Sequence, residues 1–428
     1  MNTRDPWRAV AAVLATAAVL AGAVAAPAIA QPPAPPTTTP FSTPDTGDCA
    51  QRTKPPAPID ASEVPAPGER APEPLPVPSP AIGGKRMAEC GVVLPDSAGS
   101  VPAEISATAW VVADLDTGEV LAAKDPHGRY RPASTIKVLL ATVALRALKL
   151  DTVVTGTAAD ADVEGTRVGI GPGGRYTNRQ LLQALVMASG NDAAHALSAQ
   201  LGGDQVAVAK MNDLARSLRA LDTRAATPSG LDGPGMSTSA YDLAALFREA
   251  MTEPRFAEFI RTEQIDFPGF PPDPRIPGDP DHPGFVIGND NHLLYNYEGA
   301  LGGKTGFTDD ARQTFVAGAE RGGRRLVVTL LKADVLPLRP WEQAARLLDY
   351  GFAVQRGAGV GALPDASAAP SSGGPTLAAP PAGAPGDRDM PRTGSDARDR
   401  ARIFFIAAGV FVVLALLVAA RSVNRRRR

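Results

Sequence analysis

The sequence predicts an α+β fold for about residues 100–354, with one antiparallel sheet flanked by helices and an all-helical subdomain. Two observations predict this fold. Segments of strand-like composition stand at both ends of the region, and segments with helical periodicity fill its middle. The predicted strands are 108–114, 119–123, 313–318 and 325–331, and the predicted helices are 134–149, 178–188, 191–201, 204–220, 239–251 and 340–355. Such an arrangement is typical of one sheet that a helical insertion covers.

The strands are predicted to form two hairpins. Residues 116–118 form the turn of the first pair, and Gly322-Gly323 form the turn of the second. Helix 178–188 has a clear start, because Thr177 and Gln180 have the capping-box spacing. The helix that follows Ile136 is apolar nearly all round, which predicts that it is buried.

The composition excludes several classes of function. The chain has 428 residues, and 44% of them are hydrophobic, which is enough for a substantial core. A formal net charge of −2 argues against nucleic acid as the main partner. The four histidines and two cysteines form no metal-binding pattern, so we expect neither a metal site nor a cofactor.

The sequence predicts a signal peptide near one end of the chain and a membrane anchor near the other. Residues 1–30 contain early arginines, an apolar run and the small-residue sequence Ala28-Ile29-Ala30, which together predict a cleaved signal peptide, with an uncleaved anchor helix as the alternative. Ile403 to Ala420 is apolar and long enough to be a transmembrane helix, and a basic tail, 421–428, follows it. Export followed by this segment predicts a single-pass protein of the plasma membrane, with residues 100–354 on the extracellular, cell-wall side and the tail in the cytoplasm.

Two segments of biased composition flank the predicted fold. Residues 31–99 are a proline-rich exported segment, in which 31–80 contain 16 of the 42 prolines, and residues 355–402 are rich in Ala, Gly and Pro. The compositions of 31–80 and 355–402 predict flexible or polyproline-like spacers. Cys49 and Cys90 are the only cysteines. An oxidising compartment favours a disulfide between them over two free thiols or an intermolecular bond.

The first motif that indicates a reactive site is Ser134-Thr135-Ile136-Lys137. Ser134 and Lys137 are three residues apart, so on a helix they share one face and can hydrogen-bond. Burial disfavours the charged form of an amine, so Lys137 is expected to be a neutral general base for a Ser134 nucleophile. The motif is short, however, and such patterns occur by chance in many proteins.

The second motif is Ser189-Gly190-Asn191, which stands between two predicted helices. Small polar residues at such a position most often form only a turn. Asn191 is also a suitable N-cap for the helix that follows. Taken alone, this motif favours the turn over a functional site.

The third motif is Lys304-Thr305-Gly306. Its glycines allow a substrate backbone to approach an edge strand closely, and Lys304 and Thr305 can bind a carboxylate by charge and hydroxyl. A phosphate-binding loop is the alternative that Gly-Lys-Thr suggests. That loop needs a glycine at position 298, where this chain has Glu298, so the carboxylate interpretation is favoured.

The order of the three motifs, with separations of 55 and 115 residues, resembles that of the penicillin-recognising serine enzymes. Flanking sequences narrow the resemblance to the serine-type D-alanyl-D-alanine carboxypeptidases, the low-molecular-weight penicillin-binding proteins. These flanking sequences are 167–177, 187–194, 227–232 and 302–308. The resemblance covers about residues 100–354 and implies a β-lactamase/penicillin-binding transpeptidase-like fold.

The resemblance also implies a role for each motif residue. Ser134 would attack the carbonyl between the last two D-alanines of a peptidoglycan stem peptide, Lys137 would take its proton, and Ser189 would pass a proton to the leaving amine. The residues expected to bind the substrate are Asn191, Lys304, Thr305, Gly306 and Phe307. Among them, Lys304 and Thr305 would hold the terminal carboxylate, and the amides of Ser134 and Phe307 would form the oxyanion hole. β-Lactam antibiotics are the expected inhibitors.

Three alternatives are weighed against this interpretation. A D,D-endopeptidase or transpeptidase would use the same residues and stays open. A class A-like β-lactamase would need Ser-Asp-Asn in place of Ser-Gly-Asn, and a glutamate in an E-x-x-L-N segment that the chain lacks. A non-enzymatic β-lactam or muropeptide sensor would need a cytoplasmic output domain larger than the eight residues of 421–428.

Overall fold

The computed structural model describes residues 41–97, 99–273 and 276–364. The predicted signal peptide, the predicted membrane segment 403–420 and the tail 421–428 lie outside these residues. Within the described ranges, no helix combines the length and the apolar character that crossing a membrane requires.

The strands form a central antiparallel sheet and two small two-stranded sheets. In chain order they are β1 (Val92–Val93), β2 (Ala109–Asp114), β3 (Glu119–Lys124), β4 (Val153–Thr155), β5 (Arg175–Thr177), β6 (Gln264–Phe267), β7 (Phe285–Gly288), β8 (Ala300–Thr308), β9 (Arg312–Arg321), β10 (Arg324–Ala333) and β11 (Gly361–Ala362). The central sheet has the order β1-β3-β2-β10-β9-β8, and β11 also pairs with β3. β8, which carries the third motif, is therefore an edge strand that can accept a further partner.

The helices cover both faces of this sheet. In chain order they are α1 (Lys137–Ala147), α2 (Ala158–Ala161), α3 (Asn178–Met187), α4 (Asn191–Leu201), α5 (Asp204–Ser217), α6 (Ala240–Ala250), α7 (Pro254–Arg261), α8 (His292–Asn296) and α9 (Pro340–Ala353). Thr177 and Gln180 form the predicted capping box at the start of α3. The predicted α+β fold, with its antiparallel sheet and helical subdomain, is confirmed.

Strand β2 shows how one sheet supports two cores. Val111 and Ala113 face the core that also contains residues of α1 and α3 to α7. Trp110 and Val112 face the opposite core, to which α9 contributes. Because successive side chains of a strand point to opposite faces, every residue of β2 is buried. β10 pairs with β2, and this pairing joins the first and last predicted hairpins into one sheet.

The sequence did not predict the nine-residue strand β8 or several short elements. The short elements include the eight-residue α7, the α8 turn and the β4–β5 and β6–β7 pairs. Their strands have three or four residues each, which is too short for a periodic pattern to show.

The prediction of a flexible spacer over 31–80 is wrong for its described part. Residues 41–94, which we call the N-terminal strap, pack against the catalytic fold. Arg129, which is 1% exposed, donates to the carbonyl oxygens of Thr53 at 2.8 Å and Pro76 at 2.9 Å. Proline removes backbone donors but leaves carbonyl acceptors, so a proline-rich chain is well suited to bind a buried guanidinium. The disulfide between Cys49 and Cys90 closes the strap into a loop.

The linker predicted from residue 355 begins later than expected. Gly361 and Ala362 pair with Val120 and Glu119 of β3, and Leu363 is buried in the core. Small residues such as these pack against a strand without a recognisable pattern. The folded region therefore extends to at least Pro364, and the remainder of the predicted linker lies outside the described residues.

Candidate active site

The turn that carries Ser134 is held by hydrogen bonds from its own residues and from the sheet. Ala133–Ile136 form a 3₁₀ turn that leads directly into α1, so Ser134 precedes the α-helix that was predicted to contain it. The hydroxyls of Thr135 and Thr314 both donate to the carbonyl oxygen of Pro132, at 2.6 and 2.7 Å. Thr314 belongs to β9, so the sheet holds the turn in place. Ser134 itself is half-buried.

The amine of Lys137 lies at the centre of the site. Its Nζ is 2.7 Å from Ser134 Oγ, 2.7 Å from Asn191 Oδ1 and 2.6 Å from the carbonyl oxygen of Ser229. Two of these three neighbours, Asn191 Oδ1 and Ser229 O, can only accept. A neutral amine has two N–H groups for those acceptors and one lone pair for a hydroxyl donor. The contacts therefore allow a neutral lysine that accepts the proton of Ser134.

Burial is the main reason why the pKa of Lys137 lies well below its usual value. The side chain is fully buried, and the neighbouring cation of Lys304 lowers its pKa further. The carboxylates of Asp290 and Asp192 act in the opposite direction. Desolvation and like charge outweigh them, so Lys137 loses its proton more readily than an exposed lysine does.

The second motif is both a turn and a wall of the site. Gly190 and Asn191 begin α4, and the Nδ2 group of Asn191 donates to the carbonyl oxygen of Glu164 at 2.7 Å. This bond fixes the amide so that Oδ1 faces Lys137. Ser189 adopts a positive φ of 62°, which is uncommon for a residue with a side chain. Within the described residues its hydroxyl has no hydrogen-bond partner, which leaves it available to a substrate.

The third motif lies on β8, whose edge faces the 3₁₀ turn. A Cβ added to Gly306 would stand 2.4 Å from Thr314 Oγ1 and 2.9 Å from the amide nitrogen of Ser134. Any side chain at this position would push β8 away from the turn. Glycine thus brings β8 close to Ser134, and Phe307, the next residue, is half exposed.

Lys304 and Thr305 both contact the carboxylate of Asp290, a residue that the sequence does not identify. Thr305 Oγ1 donates to Asp290 Oδ2 at 3.0 Å, and Lys304 Nζ lies 3.8 Å from the same oxygen. Lys304 is fully buried, and burial lowers its pKa while Asp290 raises it. Asp290 stands in an Asn-Asp-Asn sequence whose two asparagines are buried and bind backbone groups. That sequence matches no motif, and no signal in it would have identified the aspartate.

The structure therefore brings residues from all three motifs to one place. Lys137 contacts Ser134 and Asn191 directly, and its pKa responds to Lys304. Three neighbouring residues that the sequence did not identify complete the site: Ser229, Glu164 and Asp290. The predicted disulfide partners lie in the strap, outside this site.

A separate buried cluster has the ligand types of a metal site. His127, Asp222 and Asp242 lie close together. Arg129 already donates to Asp222 Oδ1 at 3.1 Å, and the Nδ1 atom of His127 binds the other oxygen at 2.6 Å. A cation is therefore already present as a guanidinium, and the cluster connects the catalytic fold to the strap through Arg129.

Comparisons with known proteins agree with this geometry. Residues 96–335 match the family model of peptidase S11, D-alanyl-D-alanine carboxypeptidase. The chain is 49% identical over 271 residues to D-alanyl-D-alanine carboxypeptidase DacB2 of Mycobacterium tuberculosis, and the match covers 62% of this chain and 89% of the relative.

Two solved structures show the same fold. The crystal structure of a D-alanyl-D-alanine carboxypeptidase from Mycobacterium tuberculosis is 47% identical, with a TM-score of 0.58, and the match covers 63% of this chain and all of the other. The DD-transpeptidase of Streptomyces K15 is 28% identical, with a TM-score of 0.55, over 60% of this chain and all of its own.

Proposed function

Because this chain belongs to the peptidase S11 family of D-alanyl-D-alanine carboxypeptidases, we propose that Ser134 is the nucleophile with which it removes the terminal D-alanine of peptidoglycan stem peptides. The chain is a serine D-alanyl-D-alanine carboxypeptidase with a penicillin-binding fold, as the sequence predicts. The assignment of roles to individual residues is our proposal. The observation that carries it is the position of Lys137 Nζ, 2.7 Å from Ser134 Oγ.

Acylation begins with a proton transfer from the Ser134 hydroxyl to the neutral amine of Lys137. Ser134 Oγ then bonds to the carbonyl carbon between the two D-alanines, and the carbonyl oxygen becomes an oxyanion. The backbone amides of Ser134 and Phe307 stabilise this oxyanion. The close approach of Gly306 to the Ser134 amide supports the assignment, because it brings the two amides to one side of the groove. Loss of one such donor typically costs about 3 kcal/mol.

The substrate is positioned by its terminal carboxylate. Lys304 supplies the positive charge, and the hydroxyl of Thr305 supplies a hydrogen-bond donor once it leaves Asp290. On the other side, Asn191 and Ser189 face the peptide, and the hydroxyl of Ser189 relays a proton to the leaving amine of D-alanine. Water then hydrolyses the acyl-enzyme. A β-lactam acylates Ser134 in the same way, because its ring amide takes the place of the scissile bond.

Rapid turnover of β-lactams has no support in the geometry. Glu249 and Glu253 both bind Arg146, and Glu258 binds Arg255. Ser229 contacts Lys137 through its backbone carbonyl oxygen. The penicilloyl-enzyme is therefore expected to be long-lived.

Two assays test the nucleophile and its base. The purified protein should release D-alanine from diacetyl-L-Lys-D-Ala-D-Ala and should be labelled covalently by a fluorescent penicillin. Ser134→Ala should abolish both activities, and Lys137→Arg should lower acylation about 10²- to 10⁴-fold, since arginine stays charged. Lys149→Arg makes the same change at an exposed lysine beyond the end of α1 and serves as the control. Full labelling of Ser134→Ala would rule out the assignment.

We also propose that the enzyme acts outside the cell from a membrane anchor. The support is the signal-peptide pattern of 1–30, the apolar segment Ile403 to Ala420 and a substrate that belongs to the cell wall. Deletion of 403–428 should release D-alanine carboxypeptidase activity into the medium. Activity that stays in the membrane fraction after this deletion would contradict the anchor.

A further inference from the structure

The N-terminal strap reaches the end of the groove in which the substrate lies. The amide of Ile59 donates to Asp310 Oδ1 at 2.7 Å, and the carboxylate of Glu63 pairs with the buried guanidinium of Arg131. Asp310 follows the end of β8, and Arg131 precedes Ser134 by three residues. Strap residues 59–63 therefore touch both walls of the groove. This segment lies outside residues 96–335, which match the family model.

The direction of the substrate follows from the proposed function, on which this inference rests. With the terminal carboxylate at Thr305 and the scissile carbonyl at the amide of Phe307, the peptide follows β8 from residue 305 towards 308. An extended chain advances about 3.3 Å per residue. The residue that precedes the two D-alanines is then level with Thr308 and the turn after it. That is where the strap residues 59–63 stand.

This end of the groove is strongly acidic. Its cations are already bound, since Arg131 pairs with Glu63, and Arg312 pairs with Asp334 at 3.1 Å. The carboxylates here are Asp60, Glu63, Asp232, Asp309 and Asp310. Burial is the main reason why the pKa of Asp232 is raised, and the carboxylates of Asp310 and Glu63 act in the same direction, against a hydrogen bond from Thr308 and the charge of Arg131.

A buried oxygen in this cluster has no partner. Asp310 is 8% exposed, and its Oδ2 atom makes no hydrogen bond within the described residues, although Oδ1 is bound by the strap. An unpaired buried carboxylate oxygen is costly, so a cation or donor nearby stabilises it. Asp60, which directly follows Ile59, and Asp309, which directly precedes Asp310, are exposed.

Apolar surface accompanies these carboxylates. Ile59, whose amide binds Asp310, is 70% exposed, and Phe307, near the end of β8, is 50% exposed. Exposed large apolar side chains beside charged groups suit a ligand that has an apolar stem and a charged head.

We propose that strap residues 59–63 and Asp309 form a specificity subsite for stem peptides in which the residue before the two D-alanines has an unbranched side chain ending in a free amine. The methylene stem contacts Ile59 and Phe307, and the ammonium group lies among the carboxylates. The strap thus adds a selective wall to the groove of the carboxypeptidase.

The test compares two peptides that differ by one charge. Nα-Acetyl-L-Lys-D-Ala-D-Ala has a free ε-amine, and its ε-acetylated form does not. For the full chain, kcat/KM should be about five-fold or more higher for the free amine at low ionic strength, and this ratio should fall in 0.5 M salt. Asp60→Asn and Asp309→Asn should each lower the ratio about two- to five-fold, and Asp60→Lys should bring it below one.

Asp151→Asn is the matched control. Asp151 is exposed and stands beyond the far end of α1, about 16 Å of helix from Ser134, so its removal should leave the ratio unchanged. Equal labelling by fluorescent penicillin verifies that every variant is folded. A ratio of one for the unaltered chain, or a ratio that the Asp60→Asn/Asp309→Asn double variant keeps, overturns the subsite. Failure of both peptides to release D-alanine overturns the proposed function instead.

Discussion

Asp290 is the residue whose replacement tests the electrostatics of the site most directly. Its carboxylate lies 3.8 Å from Lys304 Nζ and raises the pKa of both Lys304 and Lys137. Asp290→Asn removes this charge and keeps an oxygen that accepts from Thr305. Both lysines should therefore lose their protons at lower pH in the variant.

The size of the effect follows from the distance and the exposure. Two unit charges about 4 Å apart interact by about 4 kcal/mol at an effective dielectric constant of about 20. The side chain of Asp290 is 37% exposed, so solvent screening reduces this to about 1 kcal/mol. The pKa of Lys304 should therefore fall by an amount that makes the loss of its proton about five-fold more favourable. The shift for Lys137 should be smaller.

The pH profile of kcat/KM for D-alanine release measures both shifts. The acid limb reports deprotonation of the base Lys137, and the alkaline limb reports loss of the Lys304 cation. In Asp290→Asn both limbs should move to lower pH, with Asp151→Asn as the control for a lost surface charge. Limbs that stay in place, or that move to higher pH, would refute the proposed coupling of Asp290 to the two lysines.

Three further variants test the packing that supports the site. Gly306→Ala should lower acylation by fluorescent penicillin about 100-fold. The reason is that its Cβ would meet Thr314 Oγ1 at 2.4 Å and displace β8. Unchanged labelling would contradict this reason. Arg129→Ala should lower the free energy of unfolding in urea by about 3–5 kcal/mol, since it leaves Asp222 and the strap carbonyls without their buried donor, and a loss below 1 kcal/mol would show that the strap is not anchored there. Replacement of Cys49 and Cys90 by serine should cost about 4 kcal/mol in the same measurement, as expected for a loop closed over a separation of 41 residues, whereas unchanged stability would show that the strap is ordered without the disulfide.

The motif residues could be predicted because the chemistry needs those residue types at fixed positions. The spacing of Ser134 and Lys137 already predicts a hydrogen bond, and the apolar helix predicts the low pKa of the lysine. Ser229 could not be predicted, because it acts through its backbone carbonyl and any residue provides one. Asp290 could not be predicted either, since its neighbours in the sequence are loop residues and its partners, Lys304 and Thr305, lie on another element.

Local sequence likewise predicts the hairpin of β2 and β3 but does not predict how the strap packs on the fold. The strand-like composition of β2, and the turn at 116–118 beside it, predict a hairpin from local sequence alone. Composition also correctly indicates that 41–80, the described part of the predicted spacer, has little regular structure. It does not indicate that Arg129 and Arg131 are buried, and these two arginines are what bind the strap to the fold. Low helix and strand propensity is thus compatible with an ordered chain when buried side chains bind its backbone.

The contacts of Lys137 alone do not determine its protonation state. An ammonium group could donate to Ser134 Oγ, Asn191 Oδ1 and Ser229 O together, whereas full burial and the cation of Lys304 favour loss of the proton. A bound substrate brings a carboxylate to Lys304 and cancels that cation. The pKa of Lys137 must then rise in the complex, which makes the amine a stronger base when Ser134 attacks. The acid limb of kcat should accordingly lie at higher pH than the acid limb of kcat/KM, and in Lys304→Gln the two limbs should move closer together. Limbs that coincide in the unaltered enzyme would show that the substrate carboxylate does not act on the base through Lys304.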